Sequence, residues 1–142
     1  MALTAARLRI EGATGTGEQF DVPMAASTTI YDGDVVCFDA SGNAVPGADT
    51  ANYTIAGIAK ETVANTGSAG DKTIVVEAGQ QEWLPVASGL TAAAKGKDAC
   101  LVGDASLTNA ATATNDIRIG KILEFKTGFA RVWVARHALT AA

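Results

Sequence analysis

The side chains that could do chemistry are few and scattered along this sequence. Gly12-Ala13-Thr14-Gly15-Thr16-Gly17 resembles the start of a phosphate-binding loop, in which backbone N–H groups cradle phosphate oxygens and a following Lys neutralises them. Position 18 is Glu, whose carboxylate would repel such a ligand. Asp32-Gly33-Asp34 and Asp39 offer the oxygens that Ca²⁺ takes, but without the alternating ligands and terminal Glu of a calcium loop they predict a turn. The single histidine, His137, has no second His with which to hold a metal and no nucleophile in a recognisable setting, and it reads as a solvated tail residue. Cys37 and Cys100 lie in apolar runs with no Cys or His beside them, the pattern of buried reduced thiols. Carboxylates paired by the fold could still do acid–base work, yet one His, two Cys and two Tyr equip an enzyme poorly. The expectation is a protein that binds instead of catalysing, with no catalytic residue, no metal and no cofactor.

The charge is uneven. The chain of 142 residues carries a net charge of −4. Residues 1–71 hold three basic and nine acidic side chains, whereas residues 72–142 hold eight and six. From Ile117 onward Arg118, Lys121, Lys126, Arg131 and Arg136 face Glu124 alone. An acidic chain is ill suited to nucleic acid, which is bound by releasing counterions onto a basic surface. The basic end could meet an acidic protein surface, and the plain alternative is a solvated β-hairpin with its charges outward. No apolar run reaches the roughly 18 residues that a membrane-spanning helix needs, and Arg7 and Arg9 interrupt the N-terminal one, so neither a membrane partner nor an export signal is expected. Asn52-Tyr53-Thr54 matches a glycosylation acceptor, which reads as a chance match where no export signal is expected.

The elements that position these residues are β-strands. At this length one domain can bury roughly 70% of its unfolded surface and needs no staples. Asp34-Val35-Val36-Cys37-Phe38, the turn set Asp39-Ala40-Ser41-Gly42-Asn43, and Ala44-Val45-Pro46 predict a strand, a tight connection and a return, with Pro46 at an edge or strand end. Tyr53 to Lys60 alternates around Gly57, which predicts a bulge or close backbone approach. Thr73 to Glu77 and Glu82 to Val86 flank Ala78-Gly79-Gln80-Gln81 as a hairpin. Ile117 to Phe125 and Phe129 to Ala135 form another through Lys126-Thr127-Gly128. In it Ile117, Ile119, Leu123 and Phe125 share a face on which Lys121 is the exception, and Phe129 and Trp133 share a face of the partner strand. Trp83 and Trp133 read as core or interface anchors. The only helical signal, Leu90 to Lys95, is a turn or two that stops at Gly96. Residues 104–116 are small and polar and predict an exposed loop. Many short strands with almost no helix define an all-β fold, a small antiparallel β-barrel or sandwich.

The N-terminus differs in kind. Residues 1–20 hold one strand-like run, Ala6 to Ile10, and then the Gly-rich stretch, which reads as an extended arm that orders on a partner, ahead of a single β domain over residues 21–142.

The order of segments carries a resemblance. Gly33-Asp34-Val35-Val36, Ile55-Ala56-Gly57-Ile58-Ala59, the run from Ala69 to Gly79, the run from Ala94 to Val102, Ile119-Gly120-Lys121-Ile122-Leu123 and Ala130-Arg131-Val132-Trp133-Val134 together resemble the capsid cement, or head decoration, proteins of tailed bacteriophages, over residues 30–135. Residues 1–30 are longer and richer in Gly than the compact start of that family. The resemblance implies a virion structural protein, made in the host cytoplasm, that sits on the outer capsid surface and binds the major capsid protein and further copies of itself, as a homotrimer. Leu3, Leu8 and Ile10 of the arm, with Arg118, Lys121, Lys126 and Arg131, are then the expected interface residues. A tail- or fibre-associated virion module and a glycan-binding β domain are the alternatives, and the latter would need an exposed Trp83 or Trp133.

Overall fold

Left-handed glycines and polar turns cut the apolar runs into short strands. The structure, a computed structural model, describes residues 17–86, 90–102, 106–108, 114–115 and 117–134, and it shows twelve strands among them. In chain order they are β1 (Glu18–Pro23), β2 (Thr28–Ile30), β3 (Val35–Phe38), β4 (Ala44–Pro46), β5 (Thr54–Ala59), β6 (Val63–Asn65), β7 (Thr73–Ala78), β8 (Gln81–Pro85), β9 (Asp98–Leu101), β10 (Leu107–Thr108), β11 (Arg118–Lys126) and β12 (Phe129–Val134). One 3₁₀ turn, Ala92–Ala94, precedes β9. Sheet I has the order β1-β7-β5-β3-β4, sheet II the order β10-β9-β11-β12-β8, and β2 pairs with β6 as a small third layer. Every strand pair within these sheets is antiparallel, so the all-β antiparallel expectation holds, in sandwich form.

Two apolar clusters hold the layers together. Val35, Cys37, Ile55 and Ile58 of sheet I pack against Leu84, Leu101, Ile119, Ile122 and Val132 of sheet II. On the other side of sheet I, Val22, Val36, Ile74 and Val76 pack with Ile30 of β2, and Val63 of β6 leans against them. Sheet I is therefore covered on both faces. This is why Val35-Val36-Cys37 and Ile55 to Ala59 are buried continuously, where a half-exposed strand would alternate.

The turn chemistry matches the expectation closely. Asp39 Oδ1 accepts from the backbone N–H of Ser41 and of Asn43, each at 2.9 Å, and Gly42 takes a φ of +85° to bring β4 back along β3. Asp34 Oδ2 accepts from the N–H of Tyr31 at 2.9 Å, so these carboxylates serve turns. The register of β3 on β5 shifts beside Gly57, and a Cβ there would lie 2.5 Å from the Glu77 carbonyl oxygen. Both a bulge and a close approach are present. Pro46 ends an edge strand, as do Pro23 and Pro85, which accounts for all three prolines of the chain.

Several expectations are corrected. The stretch from Thr73 to Val86 is not a hairpin, because β7 lies in sheet I and β8 in sheet II. Gly79, at a φ of +96°, and Gln80 carry the chain between the sheets; Gly79 donates to Val134 O, and Val134 donates to Gln80 O. The turn of the last hairpin is two residues, Thr127-Gly128, because Lys126 already pairs with Phe129. Its strand β11 carries two register shifts, beside Ile119 and beside Leu123, which put Lys121 outside and Ile122 inside. Leu107 and Thr108, expected in an exposed loop, are buried and paired with β9. The helical signal is a single 3₁₀ turn capped by the Thr91 side chain and ended by Gly96. Strand β1 begins at Glu18, so residues 18–20 of the stretch read as an arm pair along β7; residues 1–16 lie outside the described residues.

Candidate interaction surface on sheet II

Strand β12 settles which way sheet II faces. Ala130, Val132 and Val134 are buried beneath it, while Phe129, Arg131 and Trp133 stand on the opposite side. Side chains directly opposite one another across antiparallel strands share a face, so the pairing lays out this outer surface in rows. Lys126 lies opposite Phe129 and Phe129 opposite Pro85. Glu124 lies opposite Arg131, and Arg131 opposite Trp83. Asp98, Lys121, Trp133 and Gln81 form the third row. Three large aromatic side chains thus project from one open sheet, with relative exposures of 39% for Trp83 and 49% each for Phe129 and Trp133. The tryptophans are not core residues, which corrects half of the sequence expectation and leaves the anchor role.

The cations among them are held in place. Lys126 Nζ stands 4.8 Å from the centroid of the Trp83 ring, and the Arg131 guanidinium carbon 5.8 Å from it. Arg131 also pairs with Glu124, Arg118 with Asp98 at 3.6 Å, and Lys121 donates to the Gly96 carbonyl at 3.0 Å. Of the expected interface residues, the fold brings Lys121, Lys126 and Arg131 onto one face and puts Arg118 at the start of the same strand. Leu3, Leu8 and Ile10 lie outside the described residues, as does His137. The signal for the aromatic members was already in the chain: the parity that carries Arg131 outward carries Phe129 and Trp133 with it.

The charge of the opposite sign gathers on sheet I. Asp21 of the edge strand β1 lies opposite Val75, whose N–H donates to Glu61 Oε2 at 3.1 Å from the other side of β7. The backbone N–H of Asp32 donates to Thr62 Oγ1, next to Glu61. Asp21, Asp32 and Glu61 are all exposed. Lys60 lies between them but is held by Glu77 at 3.1 Å, and that hydrogen bond, with the Coulomb attraction of Glu77, raises its pKa above 10.5. Both thiols are buried, and desolvation pushes Cys37 up to about 12, so neither is poised as a nucleophile. Among the described residues no group of three or more His, Cys, Asp or Glu side chains could hold a metal ion.

The surface can offer a flat apolar area with fixed cations, which is adhesive chemistry. No protein-family model matches the chain, and no curated protein matches it.

Proposed function

We propose that this chain is a structural binding protein of a tailed-phage particle, a cement or decoration protein seated on the outside of the capsid and tying neighbouring capsid subunits together. The observation that carries this reading is the open face of sheet II, where Trp83, Phe129 and Trp133 stand exposed among Lys121, Lys126 and Arg131. Aromatic and Arg side chains on a flat sheet are what protein interfaces use as anchors, and a rigid sandwich behind them costs little ordering entropy on docking. Many copies on one shell act together, because each further contact is nearly intramolecular once its neighbours are bound. Cryo-electron microscopy of heads with and without the protein tests the reading. Regular added density over capsomer seams is the expected result; binding to the tail alone, or no binding, would overturn it.

A second reading, a glycan-binding domain, draws on the exposure of Trp133, since indole faces stack on sugar rings. It predicts quenching or a shift of tryptophan emission on adding host surface polysaccharide, in the absence of any capsid.

A further inference from the structure

We propose that the outer face of sheet II docks on a second copy of this chain, head to tail, against the acidic margin of sheet I marked by Asp21, Asp32 and Glu61. The proposal rests on the reading of this face as an adhesive surface and names its partner as a neighbouring copy on the same particle, so that the copies brace one another. Two surfaces of opposite sign lie on different sheets of one rigid sandwich, so they cannot meet within a single copy. The cationic face is a poor match for itself. A two-fold contact would bring two copies of one net-positive face together, Arg118, Lys121, Lys126 and Arg131 against Glu124 and Asp98 on each, whereas a head-to-tail contact sets it against carboxylates.

Local partners leave this complementarity in place. Glu124 and Asp98 pair with Arg131 and Arg118, Lys121 donates to a neutral carbonyl with Asp98 across the ladder, and Lys126 stands over an indole, so four cations share two carboxylates and the face stays net positive. On the other side Lys60 is bound by Glu77 and also attracted by Asp32, so one cation stands against the four carboxylates Glu77, Asp21, Asp32 and Glu61. The aromatic side chains give such a contact its apolar centre, and the charges fix its direction. Strand-edge addition is the competing mode of self-association, and the prolines ending β1, β4 and β8 work against it.

The test needs only the purified chain. Sedimentation velocity at low salt should show self-association that weakens as ionic strength rises from roughly 50 to 500 mM, where the screening length shortens to a few ångströms. Lys121→Glu/Lys126→Glu on the cationic face, or Asp21→Lys/Asp32→Lys on the acidic margin, should each weaken it by at least about tenfold. Mixing the two variants is the decisive arm. Each keeps one intact surface and the two reversed surfaces are again opposite in sign, so the mixture should associate although neither variant does alone, which also shows that both are folded. A wild-type chain that stays monomeric at roughly 100 μM and low salt, variants that associate like wild type, or folded variants that fail to combine would each overturn the proposal. Capsid binding plays no part in these measurements, so their failure and that of the coating function are told apart.

Discussion

Replacing Gly57 by Ala should be among the most damaging single-methyl additions to this fold. The new Cβ would sit 2.5 Å from the carbonyl oxygen of Glu77 and 3.0 Å from its carbonyl carbon, both backbone atoms of the neighbouring strand β7. Since close C···O contacts settle at about 3.3 Å or more, β5 and β7 would have to part by roughly 0.8 Å. Overpacking of this kind costs about 1–3 kcal/mol, and weakening one ladder hydrogen bond adds about 1 kcal/mol, so about 3 kcal/mol is expected. At roughly 2–4 °C per kcal/mol, the melting temperature should fall by about 6–12 °C. Gly42→Ala is the control. Gly42 has a φ of +85° with no atom within 4 Å of a built Cβ, so only the conformational cost of about 1–2 kcal/mol applies. Gly57 itself has a φ of +157°, so its replacement carries a conformational cost too, and the excess of Gly57→Ala over Gly42→Ala in urea denaturation reads the steric part. If Gly57→Ala proved no more destabilising than Gly42→Ala, the close approach would not be an energetic feature of the fold and the steric argument would fail.

Asn65, buried, donates through Nδ2 to the carbonyls of Ala25 and Ser68 and accepts from Gly67 N–H through Oδ1, so Asn65→Asp should destabilise more than Asn65→Ala above neutral pH, by setting a carboxylate against those carbonyls, with thermal melts as the readout. Lys60 has a folded pKa above its ordinary 10.5; its contribution to stability is complete below that value and is lost as pH rises through the folded pKa, so wild type should lose more stability than Lys60→Met in alkaline denaturation. Cys37 and Cys100 should resist alkylation at pH 8 in the native protein and react only after denaturation, which mass spectrometry would follow. Trp133→Ala should weaken docking by roughly 30-fold or more if the indole is an anchor, while leaving the melting temperature nearly unchanged, because half of the side chain already faces solvent.

Much of the local structure was legible because turns are written in side-chain chemistry. Gly42 and Asp39 announce the β3–β4 turn, Gly57 the bulge, Pro46 an edge, and Gly128 the last hairpin. What was hidden is long-range. Nothing in Ala78 to Gln81 distinguishes a hairpin from a crossing between sheets, because the difference lies in Val134, which exchanges hydrogen bonds with Gly79 and Gln80 from more than fifty residues away in sequence. The burial of Leu107 depends in the same way on its pairing with Leu101. The candidate surface was half legible. The basic residues stood out by type and parity ties Phe129 and Trp133 to Arg131, but that this side of sheet II is uncovered among the described residues, while sheet I is covered on both faces, is a tertiary fact.

The distribution of proline bears on how such a molecule survives crowding. Among the described residues, three of the four flanks of its two main sheets terminate in a residue that has no amide hydrogen to offer, the fourth is a strand only two residues long, and single bridges, Met24 to Ala44 and Val86 to Leu107, tie the flanks of each sheet together at one end. Packed densely on a common scaffold, copies with bare flanks would template one another into continuous fibrous ribbons. Imino acids placed there leave broad, side-chain-specific faces as the favoured means of contact, so high local abundance yields an ordered coat instead of a tangle.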